Sequence, residues 1–332
     1  MHEEVLSGIN TRGATIYPQQ IGQACSFNTE LAELKTQQTA TILRKMGGVL
    51  SLSPMVDVCR TPSFNRLEES YGEDAYLSAA MGVAFVKGLQ QGDLKKGVGA
   101  CSKHYLGYGG GGDADEKELM EEILMPHETM IRVAGSRALM PGYHAMPNTE
   151  IYEPMCYNNP SPRKVHPTLN AAGPLFATPN TQWPFGYGLS YTNFEYSNLR
   201  LACPQQLSND SFITLSFDVK NTGKMMADEI AQIYISPTDD NQEIRRIQLQ
   251  GFARVSLKPG ETKKVEVKLF TEQFGFYKNV NGNHSWNVKP GTYAIKIGAS
   301  SVDFRLEEQI TLTGKPVHKP LREFYFSETS LK

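Results

Sequence analysis

The sequence predicts an α/β domain followed by an all-β one: a partial parallel (β/α) barrel over residues 1–148, then an antiparallel β-sandwich over 183–332. Three observations carry this. Up to Met146, short apolar runs alternate with amphipathic helical stretches, the pattern of a parallel β/α layout. From Pro147 to Pro184 eight prolines break every period, so residues 149–182 read as a linker or as the remnant of a lost domain. Beyond Tyr191 apolar residues recur at every second position, as in half-buried strands.

The first element is a loop wall, Thr11 to Ile21, rich in Gly, Pro and Gln. Asn28 has the chemistry of an N-cap for a helix whose Leu31, Leu34 and Ile42 share one face and which stops at Gly47-Gly48. An apolar run, Val49 to Leu52, predicts a strand, and a polar loop with Asp57, Arg60 and Arg66 follows it. Asp74 caps a second helix with the stripe Leu77, Met81, Phe85 and Leu89, closed by Gly92. Val98 to Cys101 predicts the next strand and leads into Lys103-His104, then into a glycine run from Gly107 to Gly112 that reads as a mobile loop. A third helix from about Asp115 to Ala134 should bend at Pro126, which has no amide hydrogen to donate. Ala138-Leu139-Met140 is a further strand, ending at Tyr143. Residues 1–148 thus hold roughly four β/α units at ~30 residues each, whereas a closed barrel needs eight. Such an open sheet exposes strand edges and predicts self-association.

In the second half, Ile213, Leu215, Phe217 and Val219 alternate with polar residues, and Asn221-Thr222-Gly223 supplies a turn. Ile233 to Ile235, Val265 to Leu269 and Tyr293 to Ile297 are further strands. The last two follow Lys258-Pro259-Gly260 and Lys289-Pro290-Gly291 turns.

Composition narrows the partners. With 33 basic and 35 acidic residues there is no charge excess to attract nucleic acid or an anionic membrane. No run of 18 apolar residues predicts a membrane span, and Met1-His2-Glu3-Glu4 does not open a signal peptide. Five dispersed cysteines predict neither a disulfide framework nor a zinc site, and they read as inert core thiols.

Five segments, in order, resemble glycoside hydrolase family 3, the β-glucosidase and β-xylosidase family. They are Gly13 to Gln19, Pro54 to Arg60, Arg66 to Asp74, Lys103 to Gly109, and Pro184-Phe185-Gly186-Tyr187-Gly188-Leu189-Ser190-Tyr191-Thr192. The resemblance implies a TIM-barrel-like first domain and a fibronectin type III-like sandwich. It implies release of terminal non-reducing β-linked sugars by a retaining mechanism without metal or organic cofactor, and a periplasmic or secreted location. Arg66, Lys103 and His104 are implied to hydrogen-bond the hydroxyls of the sugar, and charge-assisted donors suit vicinal hydroxyls. Asp57 is either the assisting acid of the barrel rim or, the preferred reading, a structural partner of Arg60. Tyr143 is implied as a wall of the same pocket. The branch with a second His after the Lys-His pair has Tyr108 here, which favours the glucosidase or xylosidase branch.

One departure bears on catalysis. A retaining glycosidase needs two carboxyls about 5–5.5 Å apart. The family's nucleophile lies in a Ser-Asp-Trp or Ser-Asp-Tyr motif, and this chain contains no Ser-Asp dipeptide. Its acid/base Glu usually lies in an α/β sandwich domain for which the chain has no counterpart. Glu150 and Glu153 are nearest the gap and carry no motif, so both are read as non-catalytic. The alternative to a hydrolase is a non-catalytic carbohydrate-binding or scaffold remnant. Simpler roles stand beside the sharp ones: Arg66 as a brace for Glu68, Glu69 or Glu73, Asp113, Asp115 and Glu116 as a solvated helix start, and Trp183 and Tyr187 as junction packing.

Overall fold

The computed structural model describes residues 1–62, 64–110, 114–142, 183–202, 211–238 and 247–332. The chain divides into two compact units, Met1–His166 and Pro167–Lys332.

Unit 1 is built on four parallel strands in sequence order: β1 (His2–Glu3), β2 (Leu50–Ser51), β3 (Gly99–Tyr105) and β4 (Ala138–Pro141). Parallel pairing needs a crossover between neighbours. Those crossovers are α1 (Gln20–Ala24) and α2 (Thr29–Lys45), then α3 (Ala75–Gln90), and then a third helical stretch. That stretch runs from α4 (Glu116–Glu118) through a π turn at Leu119–Ile123 into α5 (Leu124–Arg132). The π turn lies just ahead of Pro126, where the i−4 hydrogen bond cannot form. The predicted caps are present: Asn28 Oδ1 accepts from Leu31 N at 2.9 Å and Asp74 Oδ1 from Leu77 N at 2.7 Å. Asp115 caps α4 through Glu118 N. α3 buries the whole predicted stripe, Leu77, Met81, Phe85 and Leu89.

α2 turns the other way. Leu31 and Leu34 are 56% and 50% exposed, and the buried face is Ala32, Lys35, Thr36, Thr39, Ala40 and Leu43. The reason is close approach to α3. A Cβ on Gly88 of α3 would sit 2.1 Å from Thr36 Oγ1 and 2.2 Å from the Glu33 carbonyl oxygen. Backbones that near admit small residues between them and exclude leucine. Lys35 is drawn inside with them, where its Nζ donates to the Leu6 carbonyl and to Gln23 Oε1 at 3.2 Å. Burial pushes its ammonium down to about 7. Two further expectations change. β1 is a strand at the very start of the chain, where none was predicted. Cys59 and Cys101 are buried thiols, as read, whereas Cys25 is exposed.

Unit 2 is two four-stranded antiparallel sheets with a small third sheet. One sheet has the order β13 (Phe304–Leu312), β12 (Gly291–Gly298), β7 (Ala227–Pro237), β8 (Gln248–Leu257). The other has β15 (Glu328–Leu331), β9 (Thr262–Phe270), β6 (Phe212–Asn221), β5 (Phe194–Ala202). The small sheet is β10 (Phe276–Val280), β11 (Asn283–Val288) and β14 (Val317–Lys319). The alternating residues fill the core between the two large sheets: Ile213, Leu215, Phe217 and Val219 from β6 meet Ile233, Ile235, Ile295 and Ile297. The segment from Pro184 to Thr192 is strapped to this sandwich. Buried Gln232 donates from Nε2 to the Gly186 carbonyl at 3.1 Å and to that of Ala299 at 2.7 Å, and Ser301 N donates to the Phe185 carbonyl. Gly186 has φ +76°, and a Cβ there would lie 2.0 Å from Gln232 Oε1, so the strap requires glycine. Trp183 and Tyr187 pack on each other with centroids 5.0 Å apart and remain exposed.

Candidate functional site

Because β1 to β4 are parallel, their carboxyl ends share one rim, the edge where β/α folds place ligand groups. Glu4 leaves β1 there, Asp57 follows β2, and Lys103 and His104 stand at the end of β3. A parallel bridge between Met55 and Lys103, with Val56 N donating to the Lys103 carbonyl at 2.8 Å, fastens the Asp57 loop to β3. Residues 53–60 of that polar loop are buried.

Asp57 is 2% exposed and uses one oxygen, Oδ2, for two donors of His104: the backbone N at 3.0 Å and Nδ1 at 2.8 Å. The other ring nitrogen, Nε2, lies 3.1 Å from Arg66 Nη1. A guanidinium only donates, so Nε2 accepts and Nδ1 carries the proton toward Asp57. The result is a chain from Arg66 through His104 to Asp57. Asp57 is thus buried beneath the rim, and its hydrogen-bond partner is His104 and not Arg60. Arg60 pairs instead with Glu118 at the start of the third helical stretch.

Arg66, at the entrance to a 3₁₀ turn (Leu67–Glu69), grips Glu69 with two hydrogen bonds, Nε to Oε1 at 2.8 Å and Nη2 to Oε2 at 2.5 Å. This is the bracing role weighed against sugar binding, and the same guanidinium still reaches His104. The Glu69 hydrogen bond keeps Arg66 firmly charged. Burial alone would raise the Glu69 carboxyl. The Arg66 hydrogen bond and charge, with Lys103 and His104 behind them, hold it below the ordinary value. Lys103 is fully buried, and its Nζ pairs with Glu4, whose side chain is half-exposed. Lys103 acts on Glu69 and Glu4 on Arg66, so the four charges form one electrostatic group around His104.

Tyr108 closes one side. Its ring meets His104 edge-on at 4.9 Å and Phe64 at 5.3 Å, and Arg66 Cζ lies 6.0 Å from its centre. The Gly107–Gly110 part of the glycine run is held against the rim: Arg60 N donates to the Gly109 carbonyl, and a Cβ on Gly109 would lie 2.3 Å from the Val58 carbonyl oxygen. Of the predicted site residues, the structure brings Arg66, Lys103, His104 and Asp57 together. Tyr143 lies outside the described residues, as do Glu150, Glu153 and Asp113. Glu4, Glu69, Tyr108 and Phe64 were missed as rim members. The signal for Glu4 was available in the charged pair Glu3-Glu4 beside Val5-Leu6, but a two-residue strand leaves no period to read.

Beneath the rim, His127 on α5 is fully buried, and burial pushes its imidazole down to about 4. The unfolded chain, with a value near 6.5, then binds more protons than the folded one between these limits. Stability is fully present above pH 6.5 and falls as pH drops through 4, by about 3 kcal/mol for this group. Urea unfolding of unit 1, followed by its helical circular dichroism, should weaken across that window in the parent and much less in His127→Phe. Parallel pH profiles for the two proteins would remove the assignment.

The fold and rim together define a class: a parallel β/α half-barrel with a charged carboxyl-end rim, carried in one chain with an antiparallel sandwich. Residues 1–160 match the glycosyl hydrolase family 3 N-terminal domain and residues 229–301 the fibronectin type III-like domain. The similarity to glycosyl hydrolase family 3 thus covers 160 of the chain's 332 residues. A putative β-xylosidase of Formosa agariphila is 40% identical over 134 residues, covering 40% of this chain and 17% of that protein. Thermostable β-glucosidase B of Acetivibrio thermocellus is 39% identical over 128 residues, covering 39% and 17%. A periplasmic β-glucosidase of Salmonella typhimurium is 34% identical over 147 residues, covering 44% and 18%. The matched region is thus about a sixth of each relative's length. Among solved structures, a β-glucosidase from Erythrobacter marinus superposes with a TM-score of 0.76 at 15% identity, over 94% of this chain and 87% of that one, a likeness of fold.

Proposed function

We propose that unit 1 carries the sugar-gripping rim of a β-glucosidase-like glycoside hydrolase that releases terminal non-reducing β-linked sugars by retaining double displacement. The observation that carries this reading is the convergence of Arg66, Lys103 and His104, with Asp57 fixing the imidazole, at the carboxyl end of β3. A pyranose ring offers neighbouring hydroxyls, and the rim offers a guanidinium and an ammonium as charge-assisted donors with carboxylates as acceptors. Tyr143 completes the pocket wall in this reading, and residues 149–182 separate the two domains as linker or remnant. The names of the relatives, β-glucosidase and β-xylosidase, support the substrate class. A periplasmic or secreted location is part of the same proposal. Cell fractionation checks it, and recovery in the cytosol alone would end it.

A second reading has its own observation. Both rim carboxylates, Glu4 and Glu69, are engaged by Lys103 and Arg66, which suits holding a ligand better than attacking one. On this reading the chain is a non-catalytic carbohydrate-binding or scaffold remnant. Two measurements separate the two. Hydrolysis of an aryl β-glucoside above buffer supports the enzyme. Calorimetric binding of glucose without hydrolysis supports the remnant. Lys103→Ala should weaken binding by about 10- to 100-fold, the worth of one charge-assisted hydrogen bond. Unchanged affinity, or no binding and no turnover in the parent, would reject the saccharide rim. Four parallel strands are half of a closed barrel, so we also propose self-association through the barrel edges. Light scattering that finds monomers only would dismiss it.

A further inference from the structure

Among the buried polar groups of unit 1 that lack a hydrogen-bond partner among the described residues, two lie close to the rim: His127 and one oxygen of Asp57. His127 is fully buried on α5, and neither of its ring nitrogens has a hydrogen-bond partner among the described residues. Asp57 spends Oδ2 on both His104 donors, while its Oδ1, equally buried, has no partner there. The His127 ring meets the edge of Tyr105 at 5.6 Å, and Tyr105 is the residue after His104 on β3. Asp57 and His104 both act electrostatically on His127, which places all three within reach of a common field. α5 thus lies under the inner end of the Arg66–His104–Asp57 chain.

A carboxylate oxygen and an imidazole left unpaired in a sealed interior each bear the full loss of hydration. A polar compartment shared by two such groups is the setting in which proteins hold internal water. A water between them would satisfy both: one hydrogen can go to Asp57 Oδ1 and the other to the unprotonated nitrogen of His127. We infer that this compartment binds an internal water between Asp57 and His127, and that His127 is thereby a positioning residue for His104. Its effect is mechanical. A carboxylate held by one oxygen can turn about its Cβ–Cγ bond. Held at both, it keeps Oδ2 on the backbone N and Nδ1 of His104, so that Nε2 stays the acceptor facing Arg66.

The inference does not depend on sugar binding, and its test needs no ligand. A high-resolution crystal structure of the full chain should contain a buried water within hydrogen-bond distance of both Asp57 Oδ1 and His127. A dry compartment overturns the proposal. In solution, the Nδ1–H proton of His104 should give a slowly exchanging resonance bonded to a nitrogen with the shift of that tautomer. His127→Phe keeps the ring and the contact with Tyr105 and removes the polar atoms. It should speed exchange of that proton by about tenfold, the worth of one net hydrogen bond, while His127→Gln restores part of the protection. A His104 signal unchanged in a folded His127→Phe protein overturns the positioning role. Should His127→Phe not fold, the parent's water and the Gln variant's His104 signal still decide the matter.

Discussion

Asp57→Ala is expected to destabilise unit 1 by about 2–5 kcal/mol and to abolish sugar binding, the larger effect of any single change at the rim. One carboxylate oxygen holds two donors from the same residue, His104, at 3.0 and 2.8 Å. Truncation leaves a backbone N–H and an imidazole N–H unpaired in a site that solvent does not reach, and each bears a desolvation penalty of about 1–3 kcal/mol. It also frees the ring to rotate, so Nε2 no longer faces Arg66. The contrast with Lys103→Ala is informative: that change removes a donor but leaves Glu4, which is half-exposed and rehydrates at little cost. Thermal unfolding followed at a helical wavelength reads the stability change, since the helices of eight or more residues among those described all lie in unit 1. An Asp57→Ala protein that melts with the parent would show that other contacts of His104, Arg66 and Tyr108 among them, suffice to hold it.

Glu272→Ala should unfold unit 2 at physiological temperature, at a cost of about 3–5 kcal/mol. Glu272 is 1% exposed, and its two oxygens serve three donors from the chain's last segment. Oε1 pairs with the Lys319 ammonium, while Oε2 accepts from Glu323 N at 2.6 Å and Phe324 N at 3.0 Å. Its own carbonyl takes the indole N–H of Trp286 at 2.9 Å, and Arg322 lies over that indole at 4.9 Å. Removing the side chain leaves two buried amides without their acceptor and the Lys319 ammonium with Glu323 as its remaining carboxylate, at 2.8 Å, and a broken buried pair costs more than the intact pair contributes. Trp286 fluorescence reports the transition. The more conservative Glu272→Gln keeps an acceptor for the amides and should lose less. Equal melting of both variants with the parent would mean that the C-terminal segment is held by β15 pairing with β9 instead.

The sandwich was legible in the sequence because burial on one sheet face imposes a period of two, and Ile213, Leu215, Phe217 and Val219 obey it without exception. The caps at Asn28 and Asp74 were legible because capping is local, a matter of three residues. The Arg66, Lys103 and His104 positions stood out through motifs, and strand direction put them on one rim. What tertiary structure alone decided has a different scale. Leu31 and Leu34 of α2 face solvent because Gly88 brings α3 too near for large side chains at that contact, a constraint set by another helix. Asp57 became the anchor of His104, and Arg60 went to Glu118, because partners 47 and 58 residues away are chosen by strand register and helix position. Glu4 joined the rim through a two-residue strand whose identity exists only in its pairing with β2. Periodicity and caps are properties of neighbouring residues and can be read from them. Which charge meets which is settled by distances that arise only once the strands are side by side.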